Sequence, residues 1–183
     1  KNHEDVKAAF PIGLGDTYRH FRIVGTVPEL MHHKWVVDPI SGREREPFHL
    51  KEGRFFEKDF EAVVGSVVAQ QTGLKIGDTF VGTHGFMEGE HEEYPYTVVG
   101  ILSAGGTPND RAIFTTIGSV WEVHADHHDG DEHEAGEEHH EHEELEVTAV
   151  LVNLESPAMR FTFLDYVNRE MNVMAAIPVN EIQ

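Results

Sequence analysis

The chain has 183 residues, 39% of them hydrophobic, with eleven phenylalanines, a formal net charge of −19 and no cysteine. That length can bury a core as one domain or two small ones, and the missing cysteines exclude disulfides and thiolate metal sites without fixing the compartment. No basic stripe is present to displace phosphate counterions, which argues against nucleic acid as a partner and disfavours an anionic membrane surface. The longest mainly apolar run, Ala62 to Ala69, is far shorter than the roughly 20 residues that span a bilayer. The chain opens at Lys1 with neither an initiator Met nor a signal peptide, as expected of a segment cut from a larger protein.

In chain order, residues 1–17 are polar, contain Pro11 and the Gly13–Gly15 pair, and read as a lead-in segment. FRIVGTV, from Phe21 to Val27, is rich in β-branched residues and predicts a strand that Pro28 stops. Leu30 to Trp35 fits a short helix, and Asp38 to Arg45 carries the Pro and Gly of a turn region. Glu61 to Gly65 predicts a strand. Ser66 is then the expected N-cap of a helix over Val67 to Thr72, with Gly73 in the position of a C′ glycine. LKIGDTFVG is a turn into a strand, and Tyr96 to Leu102 is another strand, followed by the loop SAGGTPNDR. Ala112 to Thr116 predicts a strand running into a helix over IGSVWEVH, and Glu146 to Leu154 predicts a further strand. Ser156 and Pro157 fit the N-cap and first position of a helix with Met159, Phe163, Leu164, Val167 and Met171 on one apolar face, and MAAIPV predicts a last strand. Strands and helices alternate irregularly, so the fold class is α+β or mixed α/β.

The middle of the chain resembles a known family. EGRFF (Glu52 to Phe56), VVGSVVAQQTGLKIGDTF (Val63 to Phe80), YTVVGIL, AIFTT, the late TAVLVNL–SPAM pair and AAIPVNEI resemble, in order and spacing, the periplasmic core of MacB-type, FtsX-like ABC transporter permeases over residues 18–182. The resemblance implies a segment between two transmembrane helices, outside the cytoplasmic membrane. It also implies two lobes, a porter-like α/β lobe from residues 18–50 and 113–183 and an inserted β-rich lobe from 51–112. Its partners would be the permease's own membrane helices, a separate ATP-binding subunit on which ATP hydrolysis resides, and a periplasmic partner protein.

Outside that resemblance stands HADHHDGDEHEAGEEHHEHEE, residues 124–144. It holds seven histidines and ten carboxylates, so the other 162 residues carry only −9. Imidazole and carboxylate are ligands for zinc and neighbouring divalent transition metals, and a neutral imidazole at pH 7 is ready to coordinate. His124, His127, His128, His133, His139, His140 and His142 are the candidate ligands, with His124, His127 and His128 sharing a face if the preceding helix runs on. The competing reading is a solvated loop that binds metal only adventitiously, since Asp129 to Glu143 cannot bury a core by itself. A second cluster, THGFMEGEHEEY, offers His84 and His91 with Glu88, Glu92 and Glu93 in an expected hairpin loop. His3, His20 and His49 read as structural, and His32–His33 beside Trp35 as surface or partly buried.

No HExxH, Walker A, G-x-S-x-G or cysteine nucleophile is present, so no catalytic residue is expected. Asp110 and Arg111 are read as an ion pair, and Phe55, Phe56, Phe60, Trp121, Phe161 and Phe163 as core aromatics. The reading is a non-catalytic extracytoplasmic permease domain on the periplasmic side of the bacterial inner membrane, which relays ATP-driven motion and is linked to zinc through its histidine-rich insert. A free-standing periplasmic metal buffer or chaperone is the alternative. A metal-dependent hydrolase comes third and requires an ordered three-ligand site.

Overall fold

The computed structural model describes residues 3–38, 41–83, 94–125 and 146–177. Its elements are β1 (Val6–Tyr18), β2 (Phe21–Thr26), α1 (Pro28–His32), β3 (Trp35–Asp38), β4 (Arg43–Arg45), β5 (Leu50–Gly53), β6 (Glu61–Val64), α2 (Ser66–Thr72), β7 (Thr79–Phe80), β8 (Tyr96–Leu102), β9 (Ala112–Thr116), α3 (Ile117–Ala125), β10 (Ala149–Leu154) and α4 (Arg160–Glu170). Eight strands form one sheet in the order β10-β1-β2-β9-β6-β8-β5, with β7 added to β8, while β3 and β4 pair as a separate hairpin. The β2–β9 and β6–β8 pairs are parallel and the others antiparallel.

Both faces of this sheet are covered, which explains why its inner strands read as continuous β-branched runs rather than strict alternations. Ala62 and Val64 of β6 point into one core with Ile23, Val68 and Val123, so α2 and α3 lie on that face. Val63 points the other way, toward Phe10, Leu30, Phe56 and Phe114, where α1 packs. β6 of the segment 51–112 pairs with β9 from beyond it through Val63↔Phe114 and Val64↔Ile113. Strands of the two anticipated lobes thus share one ladder.

The strand expectations over Phe21–Val27, Glu61–Gly65, Tyr96–Leu102 and Ala112–Thr116 agree with β2, β6, β8 and β9, the first two ending one residue earlier than expected. The polar lead-in segment is corrected. From Val6 onward it is β1, which runs thirteen residues to Tyr18 and is the partner of both β2 and β10. Pro11 lies where β1 pairs with β10 alone, before the pairing with β2 begins at Gly13, so one side of the strand makes no demand for its missing N–H. Its carbonyl accepts from Thr26 Oγ1 at 2.8 Å, and the register shifts between Leu14 and Thr17. The Gly13–Gly15 pair marks a helix crossing rather than a break. A Cβ on Gly15 would fall 3.1 Å from Val120 Cγ2, and one on Gly13 3.3 Å from Ile117 Cγ1.

Smaller corrections follow from backbone contacts. Gly65, not Ser66, is the N-cap of α2, since the helix already includes Ser66; a Cβ on Gly65 would fall 2.4 Å from the Asp110 carbonyl oxygen, so no side chain fits there. Gly73 closes that helix with φ +80°, as expected of a C′ glycine. Ser156 caps a short 3-10 turn, Pro157–Met159, through Ala158 N–H at 3.3 Å, and α4 starts only at Arg160. On α4 Val167 is buried, whereas Phe161 and Met171, expected in the core and on the apolar face, are 59% and 50% exposed. The expected last strand is not formed over residues 174–177, where the Asn168 side chain accepts from Ala175 N–H at 2.7 Å and donates to its carbonyl; the remainder lies outside the described residues. No helix among the described residues is long and apolar enough to cross a membrane.

Candidate functional site

Helix α3 organises the face from which the histidine-rich segment departs. Thr116, the last residue of β9, caps it by accepting from Ser119 N–H at 3.2 Å. Ser119 Oγ receives Phe60 N–H at 2.8 Å and lies 2.7 Å from Thr116 Oγ1, which donates to the Asp59 carboxylate. This polar chain is buried at Thr115, Thr116 and Ser119 and bolts the start of α3 to the entrance of β6. Phe60 adopts φ +61°, and its carbonyl accepts from Thr97 N–H at 2.8 Å while its ring stacks on Tyr94. The strained backbone is held from three sides.

From the middle of α3, Trp121 Nε1 donates to the Glu146 carbonyl at 2.7 Å. The chain therefore leaves at Ala125 and is received again at Glu146 beside the same helix. His124 is the penultimate residue of α3. His127, His128, His133, His139, His140 and His142 lie outside the described residues, and so do His84 and His91. The stem of that second cluster emerges on the α3 face. Thr83 pairs with Thr17, and a Cβ on the adjacent Gly82 would touch Ile23 Cδ1 at 3.2 Å, the side chain that also lies beneath Gly15 and Val120. Among the described residues no group of three or more His, Asp or Glu is placed to hold a metal ion.

Of the five other histidines, His49 is exposed and four pack against aromatic rings. His3 packs on Phe163 and Tyr166, His20 on Phe21, His32 edge-on to Phe55, and His33 against Phe10 and Trp35. The anticipated Asp110–Arg111 pair is replaced by two separate roles. Asp110 accepts from the backbone N–H groups of Gly105, Gly106 and Thr107, and these bonds, Gly105 first, hold its carboxyl below the usual range. Arg111 instead lies over the Phe21 ring, 5.5 Å from its centroid.

The GRFF turn has a structural explanation that its sequence does not show. Gly53 at φ +79° lets Arg54 N–H reach the Val99 carbonyl at 2.9 Å, Phe56 is wholly buried, and Arg54 forks onto Glu61 at 2.8 Å and 2.5 Å. Neither this pair nor the Asp59–Thr116–Ser119 chain was anticipated. The only signal for the second was a Thr-x-x-Ser spacing at a strand-to-helix junction, and the first, seven residues apart across a turn, has none.

Arg54, followed by the backbone N–H groups of Glu57 and Lys58, pulls the Glu61 carboxyl down to about 2 from an ordinary 4.5. The resulting stabilisation is complete above about pH 4.5 and disappears as pH falls toward about 2. Glu61→Gln is expected to cost about 1 kcal/mol at neutral pH, modest because the guanidinium is half exposed. It should also flatten the acid limb of stability measured by denaturant unfolding across that window. An unchanged limb would contradict the assignment.

A sheet covered on both faces, a helix seated on glycines and turns built around Gly-Arg pairs are the features that the described residues present. The family model for the MacB-like periplasmic core domain matches residues 4–162, and the chain belongs to that family, the extracytoplasmic domains of MacB-like ABC transporters. Among solved structures, the extracellular domain of the noncanonic ABC-type transporter YknZ from Gram-positive bacteria shares the fold, with a TM-score of 0.56 at 12% identity over 92% of this chain and 76% of that one. The periplasmic region of MacB from Actinobacillus actinomycetemcomitans gives a TM-score of 0.45 at 11% identity, over 66% of this chain and 53% of that one. No curated protein matches the chain.

Proposed function

We propose that this domain is a non-catalytic relay in an ABC transporter permease. Driven by a separate ATP-binding subunit through the permease's membrane helices, it passes their motion to a partner or cargo on the periplasmic side of the bacterial inner membrane. The observation that supports this most is the adjacency of β1 and β10. Val6 pairs with Leu154, Glu155 N–H donates to the Asp5 carbonyl at 2.9 Å, and His3 packs on α4, so the two ends of the family-matched region meet at one corner of a single sheet. A displacement applied at that corner enters a ladder of paired strands that reaches to β5, with no hydrogen-bonding break among the described residues.

The second part of the proposal is that residues 124–144 bind zinc or another divalent transition metal and report or deliver it to the transporter. Its support is compositional, seven histidines among ten carboxylates, together with the Trp121–Glu146 bond that seats both ends of the segment on α3. The test is a zinc titration against a competing chelator on the chain and on a version lacking residues 124–144. Binding at about micromolar or tighter, roughly −8 kcal/mol, that is mostly lost with the deletion is the expected result. A tight site surviving the deletion would move attention to His84 and His91. Binding no better than about millimolar in both would remove the metal role and leave the relay standing.

A further inference from the structure

His33 occupies a junction that none of the roles above requires. It follows α1 and precedes β3, yet its ring lies 4.7 Å from that of Phe10 on β1 and 4.8 Å, edge-on, from that of Trp35. Its Nε2 is 2.7 Å from Asn153 Nδ2 on β10, a residue 120 positions away. One imidazole thus ties the connection between α1 and the β3–β4 hairpin to the outermost pair of sheet strands. It also lines an open cleft of about 410 Å³ with Ala8, Phe10, Val27 and Glu29, so solvent protons reach it.

We propose that His33 is a proton-operated fastener. Neutral, it clamps the β3–β4 hairpin to the β1–β10 edge; protonated, it releases both. The bond to Asn153 is made by a neutral Nε2 accepting from the side-chain N–H; an imidazolium has no lone pair left there, so on protonation Asn153 must turn its amide over or let go. The surrounding charges do not favour the cation. Lys7 from β1 opposes it, Glu44 from β4 favours it, Glu29 from α1 lies across the cleft, and β10 offers the uncharged Asn153. Burial first, then Lys7, pushes the imidazole below the ordinary 6.5, outweighing Glu44. A depressed histidine stabilises the fold fully above its unfolded value and loses that contribution as pH falls through the folded one. Release is therefore an acid-side event, at the corner where β1 meets β10.

The experiment is amide hydrogen exchange over residues 35–38 and 149–154 between about pH 7.5 and about pH 5, corrected for intrinsic rates, alongside an NMR titration of the His33 ring. Protection at both sites is expected to fall about fivefold or more, with the midpoint of the His33 ring itself. In His33→Gln, which keeps an amide for Asn153 but cannot titrate, the fall disappears; in His49→Gln it persists. Constant wild-type protection, a midpoint that departs from His33, or a fall that survives in His33→Gln would each overturn the proposal. The midpoint comparison uses wild-type protein alone and decides the matter even if the variant does not fold.

Discussion

Gly100→Ala is expected to destabilise the domain by about 3 kcal/mol, or roughly 6–12 °C in Tm for a chain of this size. Gly100 lies in β8 directly opposite Gly53 of β5, and a Cβ built there would sit 2.2 Å from the Arg54 carbonyl oxygen. That obstacle is backbone, so no side-chain rotation relieves it. The turn must back away, and with it go the Arg54 N–H bond to Val99 and the guanidinium that grips Glu61. Gly42→Ala is the informative control. Gly42 has φ +66° but nothing within 4 Å of its would-be Cβ, so only the left-handed backbone term of about 1 kcal/mol applies. Thermal unfolding of the two variants should separate by several degrees; equal losses would mean that the β5–β8 crossing is looser than its geometry.

The glycines also show where the sequence was legible and where it was not. β2, β6, β8 and β9 were readable because their β-branched runs sit in a sheet covered on both faces, where burial and local preference agree. β1 was hidden because its signals are those of a break. Pro11 and the Gly13–Gly15 pair punctuate a sequence read alone, yet in the fold the proline keeps its acceptor role toward Thr26 and the glycines admit Ile117 and Val120 of α3. That reason lies about a hundred residues downstream and leaves no local trace. α4 failed in the opposite sense. Its apolar spacing was real, but only Val167 found a core among the described residues.

The functional reading divides along the same line. Family membership was legible because the quoted motifs carry Gly53, Gly65 and Gly100, each at a place where another stretch of backbone passes too close for a Cβ. The polar bolt of Asp59, Thr116 and Ser119 was not legible, since it joins residues 57 apart whose individual types are ordinary loop and cap residues. The histidine-rich segment is conspicuous in composition and silent in periodicity, so its chemistry could be stated while its geometry could not.

The relay itself predicts an uncoupled transporter. A flexible Gly/Ser insert of about eight residues between Glu155 and Ser156 adds slack where β10 hands over to the turn before α4, without altering any strand. Glu155 is exposed, and its N–H bond to Asp5 precedes the insertion point, so the β1–β10 ladder is left intact. The decisive measurement is transport per ATP hydrolysed by the full-length transporter with its ATP-binding subunit, reconstituted with and without that insert. A relay predicts that ATP hydrolysis continues while transport per ATP falls by about tenfold or more. Transport per ATP unchanged by the slack would contradict the relay and leave the domain as a docking platform whose motion carries no work.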